Sequence, residues 1–292
     1  MQIICSKQCG FCSGVNYCVN KTLELLQSNK KNIYCIGQLV HNENVIDKLE
    51  NKGLVIVNSI DDVPRNSVLI IRAHGAEKSI IDTAKEKNIE VIDLTCGKIK
   101  IILNKIQKQK NKSFIVIIGK KNHPEPLGIL SYIENNCDII EDLEDIPRVC
   151  KEIHKSSLNN VYVVSQTTFS DTKFDVLTKE LKKYFDDNIN IVIDKTICDV
   201  TKKRQIEAIN LSKSVDKMIV IGGKNSSNTK ELYKIASTYC NNSYLIKDTK
   251  DFNNVKFSDR DKIGIISGAS TSKESIDKVI EYINMFNDSL NK

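Results

Sequence analysis

The 292-residue chain has no tryptophan, and only 6% of its residues are aromatic. Lysine and arginine outnumber aspartate and glutamate by 43 to 37, but they are scattered over polar stretches such as KNKIQKQKNK with no aromatic ladder beside them. The nucleic-acid footprint is therefore missing, and the excess charge reads as solvated surface. Long hydrophobic runs are missing too. FIVII at 114–118 falls far short of the roughly 18 residues a membrane span needs, and the opening MQIICSKQCG lacks the apolar core of a leader. The chain is expected in the cytoplasm, away from membranes and nucleic acid. A reducing compartment excludes a disulfide framework for its ten cysteines and leaves metal, redox chemistry or plain packing. Nor is there a second CxxC or an HxxxH to complete a zinc site.

What is present has the make-up of a globular chain. With 40% hydrophobic residues, it can bury the core of one large domain or of two to three small ones. Six apolar runs have strand character, and each breaks into a polar stretch: IYCIGQLVHN, VLIIRAHG, FIVIIGKKNHPE, VYVVSQTT, MIVIGGKNSSNT and KIGIISGAST. Segments of helical length lie between them, so the class is α/β with parallel strands, in which ligands gather at the carboxyl ends of strands. The runs fall into pairs, each preceded by a cysteine that opens a helix. Val15, Cys18, Val19 and Leu26 share a face after Cys12; Ile99, Ile102, Leu103 and Ile106 do so after Cys96. After Cys198, DVTKKRQIEAI has a weaker face and Asp199 as its N-cap candidate. The step from cysteine to the next polar end is nearly constant, Cys12 to His41, Cys96 to His123 and Cys198 to Ser226.

Three similar α/β units are expected from that regularity, over 1–95, 96–195 and 196–292. If they surround a common axis, three cysteines at three helix N-termini converge, and those termini favour thiolate. Three thiolates would hold three irons of a cubane and leave the fourth open. A rival grouping competes for Cys12. Cys5-x3-Cys9-x2-Cys12, with Phe11 before the last cysteine, has the spacing by which radical S-adenosylmethionine enzymes hold a cluster. Cys5, Cys18, Cys35, Cys137, Cys150 and Cys240 lie in or beside apolar or periodic segments and read as packing; Cys9, in a polar loop, does not. Of four histidines, His41, His74 and His123 fall at polar strand ends, whereas His154 sits in a lysine-rich stretch and reads as surface. The hydroxyls of SSNT, SQTT and SGAST suit helix capping and anion binding alike.

In their order and spacing, GFCSGV, GQLVHN, AHG, NHPE, SQTT, TICDVTKKRQ, KNSSNT and SGAS closely resemble the 4-hydroxy-3-methylbut-2-enyl diphosphate reductases, the IspH/LytB family, over nearly the whole chain. The resemblance implies a pseudo-threefold trefoil of α/β units around one 4Fe-4S cluster with an open fourth iron. Cys12, Cys96 and Cys198 would be the ligands, so Cys5 and Cys9 would stand outside the cluster. His41, His74, His123, Ser226, Ser227, Asn228 and Ser270 would surround a diphosphate, with Glu125 and Thr167 near the departing hydroxyl. The implied reaction is reductive dehydroxylation of (E)-4-hydroxy-3-methylbut-2-enyl diphosphate to isopentenyl and dimethylallyl diphosphates, the last step of the methylerythritol phosphate route. It consumes two electrons, delivered by ferredoxin or flavodoxin, and two protons.

Gly97 stands where the family usually has proline, Lys100-Ile101-Ile102-Leu103 where a Thr-Lys-x-His tract is common, Asn122 where glycine precedes HPE, and Ser272 where proline often follows. A radical S-adenosylmethionine enzyme would show a Gly-Gly-Glu strand soon after its cysteines, but Gly222-Gly223 comes some two hundred residues later. Quinolinate synthase also arranges three cysteines in three similar domains, but the His-Pro-Glu and Ser-Ser-Asn motifs favour the reductases. A non-catalytic iron-sulfur sensor or a zinc protein would need no open site.

Overall fold

The computed structural model describes residues 1–28 and 31–290. Strand β1 (Gln2–Cys5) and helix α1 (Ser13–Ser28) come first. One sheet follows, with β2 (Ile33–Ile36), α2 (Glu43–Glu50), β3 (Leu54–Val57), β4 (Val68–Ile71), α3 (Lys78–Glu86) and β5 (Glu90–Asp93). The next stretch holds α4 (Gly97–Gln109), β6 (Phe114–Ile118), α5 (Pro124–Leu130), β7 (Cys137–Ile140), α6 (Ile146–Lys155), β8 (Asn160–Ser165), α7 (Asp171–Lys182) and β9 (Asn190–Ile193). The last has α8 (Asp199–Ser212), β10 (Lys217–Ile221), α9 (Ser227–Tyr239), β11 (Ser243–Ile246), β12 (Lys262–Ser267) and α10 (Lys273–Leu290).

All strand pairs are parallel, and the sheets run β3-β2-β4-β5, β7-β6-β8-β9 and β11-β10-β12-β1. The three orders are the same, with β1 in the place that β5 and β9 hold in theirs. No strand follows β12 among the described residues, so its outer edge would leave a row of backbone donors and acceptors unpaired. β1 closes that edge, with Gln2 opposite Lys262 and Cys5 opposite Ile265. The expected first unit, 1–95, therefore opens with a strand that the structure gives to the third sheet.

The chain divides into two compact units, one of Met1–Tyr17, Val40–Asn51 and the residues from Asp199 on, the other of Cys18–Leu39 and Lys52–Cys198. The first holds the β1-containing sheet, and the second holds the other two.

Central strands explain themselves by composition. FIVII in β6 and VLII in β4 are buried throughout, as a parallel strand covered on both faces must be. Alternation then sends neighbours to opposite helical layers. Phe114, Val116 and Ile118 pack with Val149 and Ile153 of α6 and Phe174 and Leu177 of α7, while Ile115 and Ile117 meet Ile102 and Ile106 of α4 and Ile129 of α5. In the β1-containing sheet, Ile219, Ile263 and Ile265 meet Val279 and Ile283 of α10, and Met218, Val220 and Ile266 meet Ala208 of α8 and Leu232 of α9. Each fully buried isoleucine contributes about 1.5–3 kcal/mol.

In each sheet the chain leaves the two central strands toward opposite sides, which opens a crevice at their carboxyl ends. The six polar stretches of the sequence lie at these ends. Among the described residues, no helix is long and apolar enough to cross a membrane.

Candidate active site

Cys12, Cys96 and Cys198 each stand immediately before a helix, α1, α4 and α8 respectively. Asp199, the expected N-cap, is itself the first residue of α8. The three backbones are held in one way. Cys12 N–H donates to the Ala269 carbonyl at 3.1 Å, Cys96 to Ala73 at 3.0 Å and Cys198 to Thr167 at 2.9 Å. Each acceptor lies two residues past the end of the third strand of its sheet, β12, β4 or β8. A helix start surrounds each sulfur with positive dipole ends. For Cys12, Val15 N–H points at Sγ from 3.4 Å.

All three of these cysteines are half-buried. By contrast, burial pushes the Cys18 and Cys35 thiols up to about 12 and Cys150 to about 11, and raises Cys137. Those four are held as protonated thiols and suit packing. Among the described residues, no three His, Cys, Asp or Glu side chains are grouped closely enough to hold one metal ion. Each of the three cysteines is a soft sulfur donor at a helix start, the ligand chemistry that iron–sulfur clusters take.

The unit that carries Cys96 and Cys198 also brings together His123, Glu125 and Thr167. His123 caps α5, its Nδ1 accepting the Glu125 N–H at 3.1 Å. Pro124 and that bond direct Glu125 inward, where it is wholly buried. Thr167 N–H donates to Glu125 Oε1 at 2.6 Å, and the Thr167 hydroxyl donates to Oε2 at 2.7 Å. Burial raises the Glu125 pKa to about 7, against the pull of both Thr167 hydrogen bonds. A surface glutamate at a helix start would show none of this. The carbonyl of Thr167 receives the Cys198 N–H, so the carboxyl is two hydrogen bonds from a cysteine backbone. The ring of His74 meets that of His123 edge-on, centroids 5.9 Å apart, and Ala73 beside it anchors Cys96.

The other unit gathers the remaining candidates. The Ser270 hydroxyl donates to the His41 carbonyl at 3.2 Å, next to the Ala269 that holds Cys12. Ser226 caps α9 by accepting the Thr229 N–H, so capping and a candidate binding role fall on one residue. Ser227 and Asn228 are buried behind it. Both polar atoms of the Asn228 amide are buried without a hydrogen-bond partner among the described residues, as a ligand-binding side chain would be before its ligand arrives. Gly223 closes this cradle, because a Cβ there would stand 2.3 Å from the His41 carbonyl oxygen. Gly223→Ala is expected to displace the 40–42 backbone and cost roughly 1–3 kcal/mol, read as a lowered melting temperature.

The sequence reading passed over three supporting residues. Gln166, wholly buried, accepts the Lys120 N–H at 3.0 Å and so pins the loop after β6 to the loop after β8. That fixes Glu125 relative to Thr167. Arg72 reaches back to the Gln38 carbonyl, and a Cβ on Gly37 would sit 2.9 Å from its Nη1. Arg204, only 2% exposed, donates to the Gly10 carbonyl at 2.6 Å and braces the loop that carries Cys12. The TKKRQ and IIRAHG stretches held the signal, but an arginine at a helix or strand end is ordinarily surface. His154 is exposed, as expected, with its ring 5.4 Å from that of Phe185.

The model of the LytB protein family matches residues 3–284. The chain is 36% identical over 288 residues to the 4-hydroxy-3-methylbut-2-enyl diphosphate reductase of Petrotoga mobilis, covering 97% of each chain. The protein of the same name from Clostridioides difficile is 35% identical over 285 residues, with 97% of this chain and 99% of that one covered. Among solved structures, the E-1-hydroxy-2-methyl-but-2-enyl-4-diphosphate reductase from Plasmodium falciparum superposes with a TM-score of 0.85 at 29% identity, over 98% of this chain and 89% of that one.

Proposed function

The chain belongs to the LytB protein family, and on that premise we propose that it removes the hydroxyl of (E)-4-hydroxy-3-methylbut-2-enyl diphosphate reductively, giving isopentenyl and dimethylallyl diphosphates in the last step of the methylerythritol phosphate route. It is an oxidoreductase of isoprenoid biosynthesis. One observation carries the assignment of roles: the wholly buried Glu125 carboxyl, clasped by Thr167 and titrating near neutrality, is built to hold a proton away from water.

We assign Cys12, Cys96 and Cys198 as ligands of one 4Fe-4S cluster. When bound, it would supply the electrons and, at its iron without a protein ligand, a Lewis acid for the departing hydroxyl. His41, His74, His123, Ser226, Ser227, Asn228 and Ser270 are proposed to anchor the diphosphate. No arginine or lysine belongs to that set, so its charge complement depends on histidine protonation. Anchoring the diphosphate lets binding energy orient the distant allyl carbon.

The proton path follows from the clasp. With Glu125 ionised, the Thr167 hydroxyl donates to Oε2. With a proton on Oε2, that oxygen becomes the donor, and the Thr167 hydrogen is released to point elsewhere. The pair can therefore pass one proton outward by turning a single hydroxyl. Ferredoxin or flavodoxin as electron donor, and a cytoplasmic place, complete the proposal.

Anaerobic turnover of the hydroxy diphosphate with a low-potential reductant tests the reaction; a cluster-loaded protein that forms neither product would overturn it. The diphosphate pocket has its own test. His41→Ala, His74→Ala and Ser270→Ala are expected to keep the cluster's absorption and to weaken binding of inorganic diphosphate by about 1–3 kcal/mol each. Unchanged affinity in all three variants, measured by calorimetry, would remove these residues from the pocket.

A further inference from the structure

Two cysteines remain outside the proposed cluster and yet touch each other. Cys5 ends β1 and is exposed; Cys9 is half-buried in the loop beyond. A turn closed by Cys9 N–H on the Ser6 carbonyl folds the loop back, so that the two sulfurs stand 3.8 Å apart. A disulfide needs about 2.05 Å. Closing the remaining gap calls for rotation of the Cys5 side chain, which is exposed.

The surroundings make the two thiols unequal. Cys9 packs against the hydrophobic core of its sheet, and its sulfur faces the Ile265 carbonyl at 3.7 Å. The sulfur–sulfur contact holds the Cys5 thiol down at about 7, against burial and the charges of Glu207 and Asp277, whereas the same contact and burial push Cys9 up. Cys5 is thus the accessible nucleophile, and Cys9 the shielded partner.

We propose that Cys5 and Cys9 form a thiol–disulfide exchange site whose substrates are low-molecular-weight disulfides of the glutathione type. The Cys5 thiolate attacks one sulfur of the small disulfide, breaking its S–S bond and releasing one small thiolate, which takes up a proton. Cys9 then gives up its proton and attacks the Cys5 sulfur, forming the Cys5–Cys9 bond and expelling the second small thiol. Two protein thiols are oxidised, and one small disulfide is reduced to two thiols. The site lies on the loop leading to Cys12, so its closure holds that loop in its folded-back form. It does not depend on the cluster assignment, since none of its atoms is a proposed ligand.

The test is anaerobic incubation of the cluster-loaded protein with oxidised glutathione, followed by intact-mass and tryptic-peptide analysis. Lys7 lies between the two cysteines, so digestion separates them unless a disulfide joins their peptides. The wild type is expected to lose two free thiols without retaining glutathione and to yield that cross-linked pair. Cys9→Ser should trap a lasting glutathione adduct on Cys5, and Cys5→Ser should leave Cys9 unmodified over the same time. A persistent adduct on wild-type Cys5, or an unmodified Cys5 in both wild type and Cys9→Ser, would overturn the proposal. Iron content read on the same samples keeps this outcome separate from the fate of the cluster.

Discussion

Glu125→Gln is expected to bind substrate and accept the first electron like the wild type while turnover falls by about 10² or more, the usual scale for losing a general acid. Glutamine preserves size and can still accept the Thr167 N–H through its carbonyl oxygen, but it carries no proton to deliver. Glu125→Asp should recover part of the rate, if at all, because the shorter chain draws the carboxyl away from Thr167.

The pH dependence gives a second reading of the same group. Burial raises the Glu125 pKa from 4.5 to about 7, so the acid form is held below that value and lost above it. A rate limited by this proton falls as pH rises through about 7, and the Gln variant should lose that slope. Stability is linked in the same sense. Between 4.5 and about 7 the folded chain keeps a proton that the unfolded chain releases, so this contribution is complete below 4.5 and is lost as pH rises through 7. Single-turnover kinetics on reduced protein decide the role: product formed by Glu125→Gln at the wild-type rate would rule it out as the obligatory acid.

Cys12→Ser, Cys96→Ser and Cys198→Ser are each expected to lose most of the iron and the cluster's absorption, since a hard alkoxide replaces thiolate poorly on iron. Cys5→Ser and Cys9→Ser should retain both. Iron and sulfide analysis after anaerobic purification separates the two groups. A full cluster in any of the first three variants would return the N-terminal triplet to consideration. The structural basis is the contrast already described, with the three assigned cysteines half-buried at helix starts while Cys18, Cys35 and Cys150 are held protonated by burial.

Legibility in the sequence followed burial. The six strands read from the chain, at IYCI, VLII, FIVII, VYVV, MIVI and KIGII, are the six central ones, covered on both faces and so continuously apolar. The six edge strands escaped notice. QIIC and EVID are four residues long with exposed ends, NIVI alternates exposed with half-buried residues, and nothing in such short runs separates a strand from a loop. Nor does a four-residue strand announce which sheet it will join, so the pairing of β1 with β12 is not readable from QIIC alone. At the site, three of the four histidines and the HPE glutamate stand out because they follow apolar runs, and three cysteines because each precedes a helix. Gln166, Arg72 and Arg204 did not, because their importance lies in what they brace, and bracing is visible only once loops distant in sequence are neighbours.

The return of β1 to the side of β12 also governs when the protein can become competent during its synthesis. Gly10 N–H is held by Ser267, and Cys12 N–H by the carbonyl of Ala269. These partners leave the ribosome long after the residues they hold, at about 5–20 residues per second. Through most of translation the first strand has no neighbour and the Cys12 loop no anchor. The two sheets between them hold all their own strands and can pair as they emerge. On the proposed ligand set, iron delivered to a nascent chain would find Cys96 and Cys198 braced and Cys12 loose, so a complete cluster would follow only once the last strand has closed over the first.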